Sequence, residues 1–280
     1  MAWLGTWRFD PAIVLAVALA ATAYATGAAR YRRVRNRPWP RARTTWFVLA
    51  LVCGTLAIES PLDAAGESRF VPHMVQHLVL TDLCAPFLLL GAPLLLALGT
   101  LPTRGARRLV WLSRSALGHV VTAPLFTWVA FVLALWLLHE STFFEAALEH
   151  ESLHVLEHGL YLASALLFWF PIVAIGPTPW AGAPLAYPLR MLYLFVAMPA
   201  EGMLGFTLGS ARHVLYPAYA QAGLADQQAA GEIMWVGGTL AMFVAFMIVG
   251  FEWARAEQKL GERFNARSEA MDLAAVERAR

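Results

Sequence analysis

The feature that most constrains this chain is a series of long apolar runs. Seven stretches, at about 11–29, 44–59, 71–98, 120–138, 153–175, 189–209 and 229–251, are nearly free of charge. A helix needs about 20 apolar residues to cross a bilayer core. Inside lipid the backbone must satisfy its own hydrogen bonds, so such runs become helices. The expected fold is therefore an all-α membrane protein, a seven-transmembrane helix bundle. Residues 1–280 read as a single polytopic membrane domain, with 252–280 a charged, solvated helical tail. Composition agrees, because 59% hydrophobic and 14% charged residues are the wrong proportions for a water-soluble domain. Ala23-Tyr24-Ala25 resembles a cleavage site after the first run, but no basic leader precedes that run and strongly basic residues follow it.

Charge sets the expected orientation. Arg30 to Arg43 holds seven arginines and reads as a basic loop. Four more lie among apolar residues at 99–118, a pattern that predicts a helix lying in the interface. With Arg190 and the tail, 18 of the 21 Lys and Arg fall on one side of a seven-span topology. That side is expected to be cytoplasmic, placing the C-terminus in the cytoplasm and the N-terminus outside. Topology and anionic lipid explain the arginines, and no nucleic acid is implied. The segments 61–70, 176–188 and 210–228 read as loops.

On that topology the histidines gather at the outer face. Residues 139–158 hold four of the eight histidines and five glutamates. Within them, His150, His154 and His158 are four residues apart, and each step of four turns only about 40° around a helix. His73 and His77 repeat the spacing at the start of the third run. Imidazole is a common ligand for zinc, copper and iron, and two imidazoles one turn apart can converge on one ion. A shared site requires spans three and five to be neighbours. Met74 lies between the first pair, and Met234 lies in the outer half of span seven. Thioether and imidazole with little thiolate favour copper, as Cu(I). Cys53 and Cys84 form no disulfide framework and no Cys-x-x-Cys motif. Cys84, seven residues below His77, is a possible further soft ligand.

Asp82 and Glu201 are ionisable groups within apolar runs and so are functional candidates. His154-Val155-Leu156-Glu157-His158 also spells the H-x-x-E-H pattern of zinc metallohydrolases, in which the glutamate is a base. Glu157 serves equally as a partner that orients an imidazole. A third reading is a b-type haem or electron-transfer protein, because paired histidines on facing helices also hold haem.

Several blocks together carry a family resemblance. They are Ser60-Pro61-Leu62-Asp63, His73-Met74-x-x-His77-Leu78, Ala85-Pro86-x-Leu88-x-x-Gly91-x-Pro93 and His154-x-x-Glu157-His158 with Phe168-Trp169 and Pro171. Leu215-Tyr216-Pro217-x-Tyr219, Asp226-Gln227-Gln228 and Gly231-x-Ile233-Met234-Trp235 complete them. In this order, over residues 60–240, the chain resembles the multi-pass CtaG family of cytochrome c oxidase assembly factors. The first span and the tail match nothing distinctive, and Thr81-Asp82-Leu83-Cys84 is more polar than the family pattern. The resemblance implies a bacterial inner-membrane protein, an assembly factor and metallochaperone without catalytic residues. It implies copper delivery to a haem–copper oxidase subunit, from a periplasmic donor. On it, His73, His77, His154 and His158 are ligand candidates, Met74 and Met234 are soft ligands, and His150 and Glu157 are supporting groups. Asp226 and Gln227 cap or gate the seventh helix.

Overall fold

A computed structural model describes residues 7–139, 142–173 and 185–278, with side chains up to residue 268 except that of Glu151. The described residues are helical, with no strand among them. Six helical stretches are long and apolar enough to cross a membrane. A seventh candidate span pairs α9 (Pro124–His139) with α10 (Thr142–Glu149), whose axes differ by 68°, so the described helices give six spans, or seven if this bent pair is one. Glu140 and most of the expected 176–188 loop lie outside the described residues.

Helix α1 (Pro11–Arg35) starts where Asp10 accepts from Ala12 N at 2.7 Å, with Pro11 in the first turn. It runs on through Arg30, Arg32, Arg33 and Arg35 and ends at a left-handed Asn36. The basic loop expected over 30–43 is thus only the short turn before α2 (Arg41–Glu59). The correction has a cause, since arginine is a good helix former and cations favour a helix C-terminus. The expected loop at 61–70 is likewise mostly a helix, α3 (Pro61–Gly66). Ser60 caps it by accepting from Leu62 N, and Asp63 lies in its first turn.

The third span, 70–100, is interrupted twice. Helix α4 (Phe70–Leu78) passes into a π turn over Val79–Cys84, then α5 (Ala85–Leu90), a left-handed Ala92, and α6 (Pro93–Thr100). Pro86 has no N–H, and its ring crowds the carbonyl four residues back, at Asp82. Widening the preceding turn accommodates both defects. The interfacial expectation fits α7 (Thr103–Ser113) and α8 (Ala116–Val121), which bury no side chain and leave Trp111, Leu112 and Leu117 exposed.

Helices α11 (Glu151–Val173), α12 (Tyr187–Gly209) and α13 (Leu224–Arg278) complete the chain. The expected tail helix is the unbroken continuation of α13. A large apolar core joins α4, α9, α11, α12 and α13, with Phe131 on Phe168 at 4.4 Å and Phe168 beside Tyr193 at 5.0 Å. The α12–α13 crossing is close because it is lined by glycine. A Cβ on Gly205 would lie 2.6 Å from Trp235 N, and one on Gly231 would lie 2.6 Å from Gly205 O. A second, smaller core joins α1, α2 and α6 through Tyr24, Trp39, Phe47, Ala92 and Leu96. Many large apolar side chains, such as Leu15, Leu19, Leu192 and Phe195, point outward, as a lipid solvent permits.

Candidate functional site

Spans three and five are neighbours, and the two histidine pairs meet between them. His73 and His77 on α4 have ring centres 4.3 Å apart, as do His154 and His158 on α11. Across the helices, His73 lies 5.5 Å from His154 with nearly parallel rings, and His77 lies 5.3 Å from His158 at right angles. The four imidazoles form one cluster.

Two elements were missed from the sequence. His139, the last residue of α9, has its ring 5.9 Å from that of His77 and is buried. Tyr161 places its hydroxyl 2.7 Å from His139 Nδ1 and its ring 4.4 Å from His77. The signal for Tyr161 was available: it stands three residues after His158 and seven after His154, on the same helical face. His139 had no partner at helical spacing, so only the tertiary fold recruits it.

Most of the buried ligand atoms around His73 and His77 are bare. Both ring nitrogens of His73 and of His77, Nε2 of His139 and of His158, and both carboxylate oxygens of Glu157 are buried without a hydrogen bond. His73 and Glu157 have no exposed surface at all. Leaving buried polar atoms unpaired costs stability, so such a concentration of them calls for a missing partner. Ligand atoms of His73, His154 and Glu157 lie within 4.8 Å of one another. A single ion with bonds of about 2.0–2.1 Å draws its ligands to within about 4 Å of each other, so small rotations suffice. Neutral imidazole and carboxylate donors fit a transition-metal ion.

The histidine end is closed by an aromatic layer. Phe70 contacts Tyr219, Tyr216 and Phe144, while Phe144 and Tyr219 both approach His73. Tyr219 donates to Gly66 O at 2.8 Å, and Tyr216 to His139 O at 2.9 Å. Burial pushes the Tyr219 phenol up, so it stays protonated as a donor. Gln76 on α4 donates to Asp63 on α3 at 2.8 Å.

The other expected residues fall as follows. His150 lies between α10 and α11, in non-helical conformation, and is exposed. The three-histidine stripe is therefore a pair, since the helix begins only at Glu151. Met74 and Met234 are buried in the apolar core. Met74 is about 100° around α4 from His73, on another face. Asp226 does not cap the seventh helix but lies inside α13. Its carboxylate accepts from Phe70 N at 2.6 Å and Val71 N at 3.3 Å, and pairs with Arg69 at 3.0 Å. It therefore caps α4, the helix that carries His73 and His77. Gln227 accepts from Leu215 N at 2.7 Å and donates to His213 O at 3.3 Å, pinning the loop. Asp82, on the π turn, and Glu201, on α12, are buried, and Glu201 packs directly on Gly238. The Cys84 thiol contacts Ala50 O at 3.3 Å, so it faces α2.

The comparison that decides the family is with the model described as cytochrome c oxidase caa3 assembly factor, CtaG, which matches residues 22–256. The chain belongs to the CtaG family. The apolar helices fit a multi-pass membrane protein, and the family description names cytochrome c oxidase assembly. Uncharacterized proteins of Mycobacterium bovis and Mycobacterium tuberculosis are each 29% identical to it over 276 residues, covering 93% of this chain. One from Mycobacterium leprae is 26% identical over 273 residues, covering 92%. The chain spans 41% of the length of each of these relatives. No solved structure matches.

Proposed function

We propose that this CtaG-family chain binds copper, as Cu(I), in the cluster of His73, His77, His154, His158 and Glu157, and delivers it to a haem–copper oxidase subunit during assembly. The observation that carries the reading is the set of buried ligand atoms on His73, His77, His158 and Glu157 that have no hydrogen bond, gathered in one place. Copper is cargo here. Neutral imidazoles accept it without proton release, and the Glu157 carboxylate balances its charge. His139, held by Tyr161, is a fifth imidazole beside His77. The methionines pack the core behind the site, so the Cu(I) assignment rests on the neutral imidazoles and the family and not on thioether donors, and Met74→Leu with Met234→Leu leaves copper affinity within a few-fold, as volume-conserving changes do.

The histidine end faces the periplasm of the bacterial inner membrane on this reading, because the arginines gather at the opposite end. A periplasmic donor then reaches the site without crossing the bilayer. The role is binding and transfer, without catalysis. Glu157→Gln separates it from a zinc hydrolase, which would retain its metal and lose all turnover, whereas here the metal itself is held more weakly.

The test is complementation. In a bacterium lacking this gene, the wild-type chain restores copper content and activity of the purified oxidase. The His73→Ala/His77→Ala variant inserts into the membrane but leaves the oxidase copper-deficient. Full copper content with that variant would refute the proposal.

A further inference from the structure

At the end of the molecule opposite the histidines, a cavity of about 610 Å³ opens between α1, α6 and the start of α2. Arg35, Arg37 and Arg43 line it, together with Tyr31 and Trp39. Three guanidinium groups around one space repel each other unless an anion joins them. The chain does not supply that anion locally. No Asp or Glu occurs at 11–58 or at 83–139, which includes all of α1 and α6 and the loops that follow them. Among the described residues no carboxylate pairs with any of the three.

The walls are held in place. Trp39 donates to Tyr24 Oη at 2.8 Å, and Tyr24 donates to Gly91 O at 2.8 Å. Arg43 lies over the Trp39 ring at 4.9 Å, with Tyr31 edge-on to Trp39 at 5.0 Å. Arg35 reaches Gly99 O at 3.4 Å. Gly99 is needed there, because a Cβ would come within 2.7 Å of the Tyr31 ring. The remaining lining is apolar, Leu95 and Leu98 of α6. Leu94, on the same helix, is exposed.

We propose that this cavity binds a phosphodiester headgroup, and that its source is an anionic glycerophospholipid. Arginine matches phosphate oxygens with paired N–H donors. Tyr31 and Trp39 in its wall are residue types enriched at the headgroup level of a bilayer. Leu95 and Leu98 offer the acyl chains a surface that a soluble phosphate would not use. The site is independent of the copper cluster.

The test uses the full chain purified in detergent and native mass spectrometry. Probes are phosphatidylglycerol, phosphatidylcholine and glycerol 3-phosphate. Wild type retains phosphatidylglycerol in preference to phosphatidylcholine. Removing one arginine should weaken retention about fivefold and removing three about a hundredfold, from roughly one interaction of membrane-surface strength each. Arg35→Gln/Arg37→Gln/Arg43→Gln is the triple variant. Arg37→Gln alone disturbs neither the Trp39 nor the Gly99 contact and guards against misfolding. Arg104→Gln/Arg107→Gln/Arg108→Gln on α7 removes the same charge elsewhere and should retain the lipid. Equal loss in both triple variants, or equal retention of phosphatidylcholine, overturns the proposal in favour of diffuse charge. Glycerol 3-phosphate binding as tightly as phosphatidylglycerol overturns the lipid source and leaves a phosphate site.

Discussion

Glu157 shows best how a single side chain acquires meaning from its surroundings. In the sequence it is the acid of an H-x-x-E-H pattern, compatible with a base, a ligand or an orienting group. In the fold it is fully buried with both oxygens unpaired beside His73 and His154. Glu157→Gln keeps the shape and removes the charge, so Cu(I) affinity should fall roughly 10–100-fold. Unchanged affinity in a competitive titration would place Glu157 outside the site. Asp63 gives a pH test at the same end. Burial pushes its carboxyl above the ordinary 3.8, against the Gln76 hydrogen bond and the nearby Arg8. The folded chain then binds that proton more tightly than the unfolded chain. Its stabilising effect is complete below 3.8 and is lost as pH rises through the folded value. Thermal melts at pH 7 and pH 4 should show wild type gaining stability relative to Asp63→Asn on acidification, and a constant gap would contradict this. The histidine pairs were legible because four-residue spacing survives any tertiary arrangement. His139 was not, since nothing near it in sequence shares its face.

The elements explain why the cluster forms where it does. Helix α4 carries half the ligands, and its first turn is secured from far along the chain by Asp226. Asp226→Ala removes that cap and leaves Arg69 without its partner, which should destabilise by about 1–2 kcal/mol. It should also weaken copper binding through misplaced His73 and His77, while Asp226→Asn, which keeps an acceptor, recovers most of the loss. The partner of Asp226 could not be read from sequence, because 156 residues separate it from Phe70. The expectation for Asp226 was to cap or gate the seventh helix; it stands in the first turn of that helix and its hydrogen bonds go to the start of α4. Close packing of α12 on α13 sets the position of Asp226 in turn. Gly231→Ala has no room at Gly205 and Gly209 and should cost about 1–3 kcal/mol by overpacking. A detergent melt that leaves Gly231→Ala unchanged would show the crossing to be looser. The π turn was signalled only by Pro86, and proline alone does not say whether a helix will kink, break or widen.

Across the whole molecule, apolar run lengths carried most of the fold. The span positions agree with the helices to within a few residues, except where arginine-rich helix ends and α3 extend into segments read as loops. Adjacency of spans three and five was beyond sequence reasoning, because helix order along the chain does not determine neighbours in a bundle. The two ends of the bundle differ in chemistry, with histidines and acids at one and arginines at the other. Single-cysteine labelling in intact cells tests the orientation this implies, with a probe at Arg212 reacting from outside and one at Arg104 only after permeabilisation. The central claim is that the two histidine pairs are one copper site. Competitive Cu(I) titration of the detergent-purified chain tests it most directly, comparing wild type with His73→Ala/His77→Ala and His154→Ala/His158→Ala. The account predicts tight binding by wild type and its loss in either double variant. Tight binding retained by both variants would contradict it.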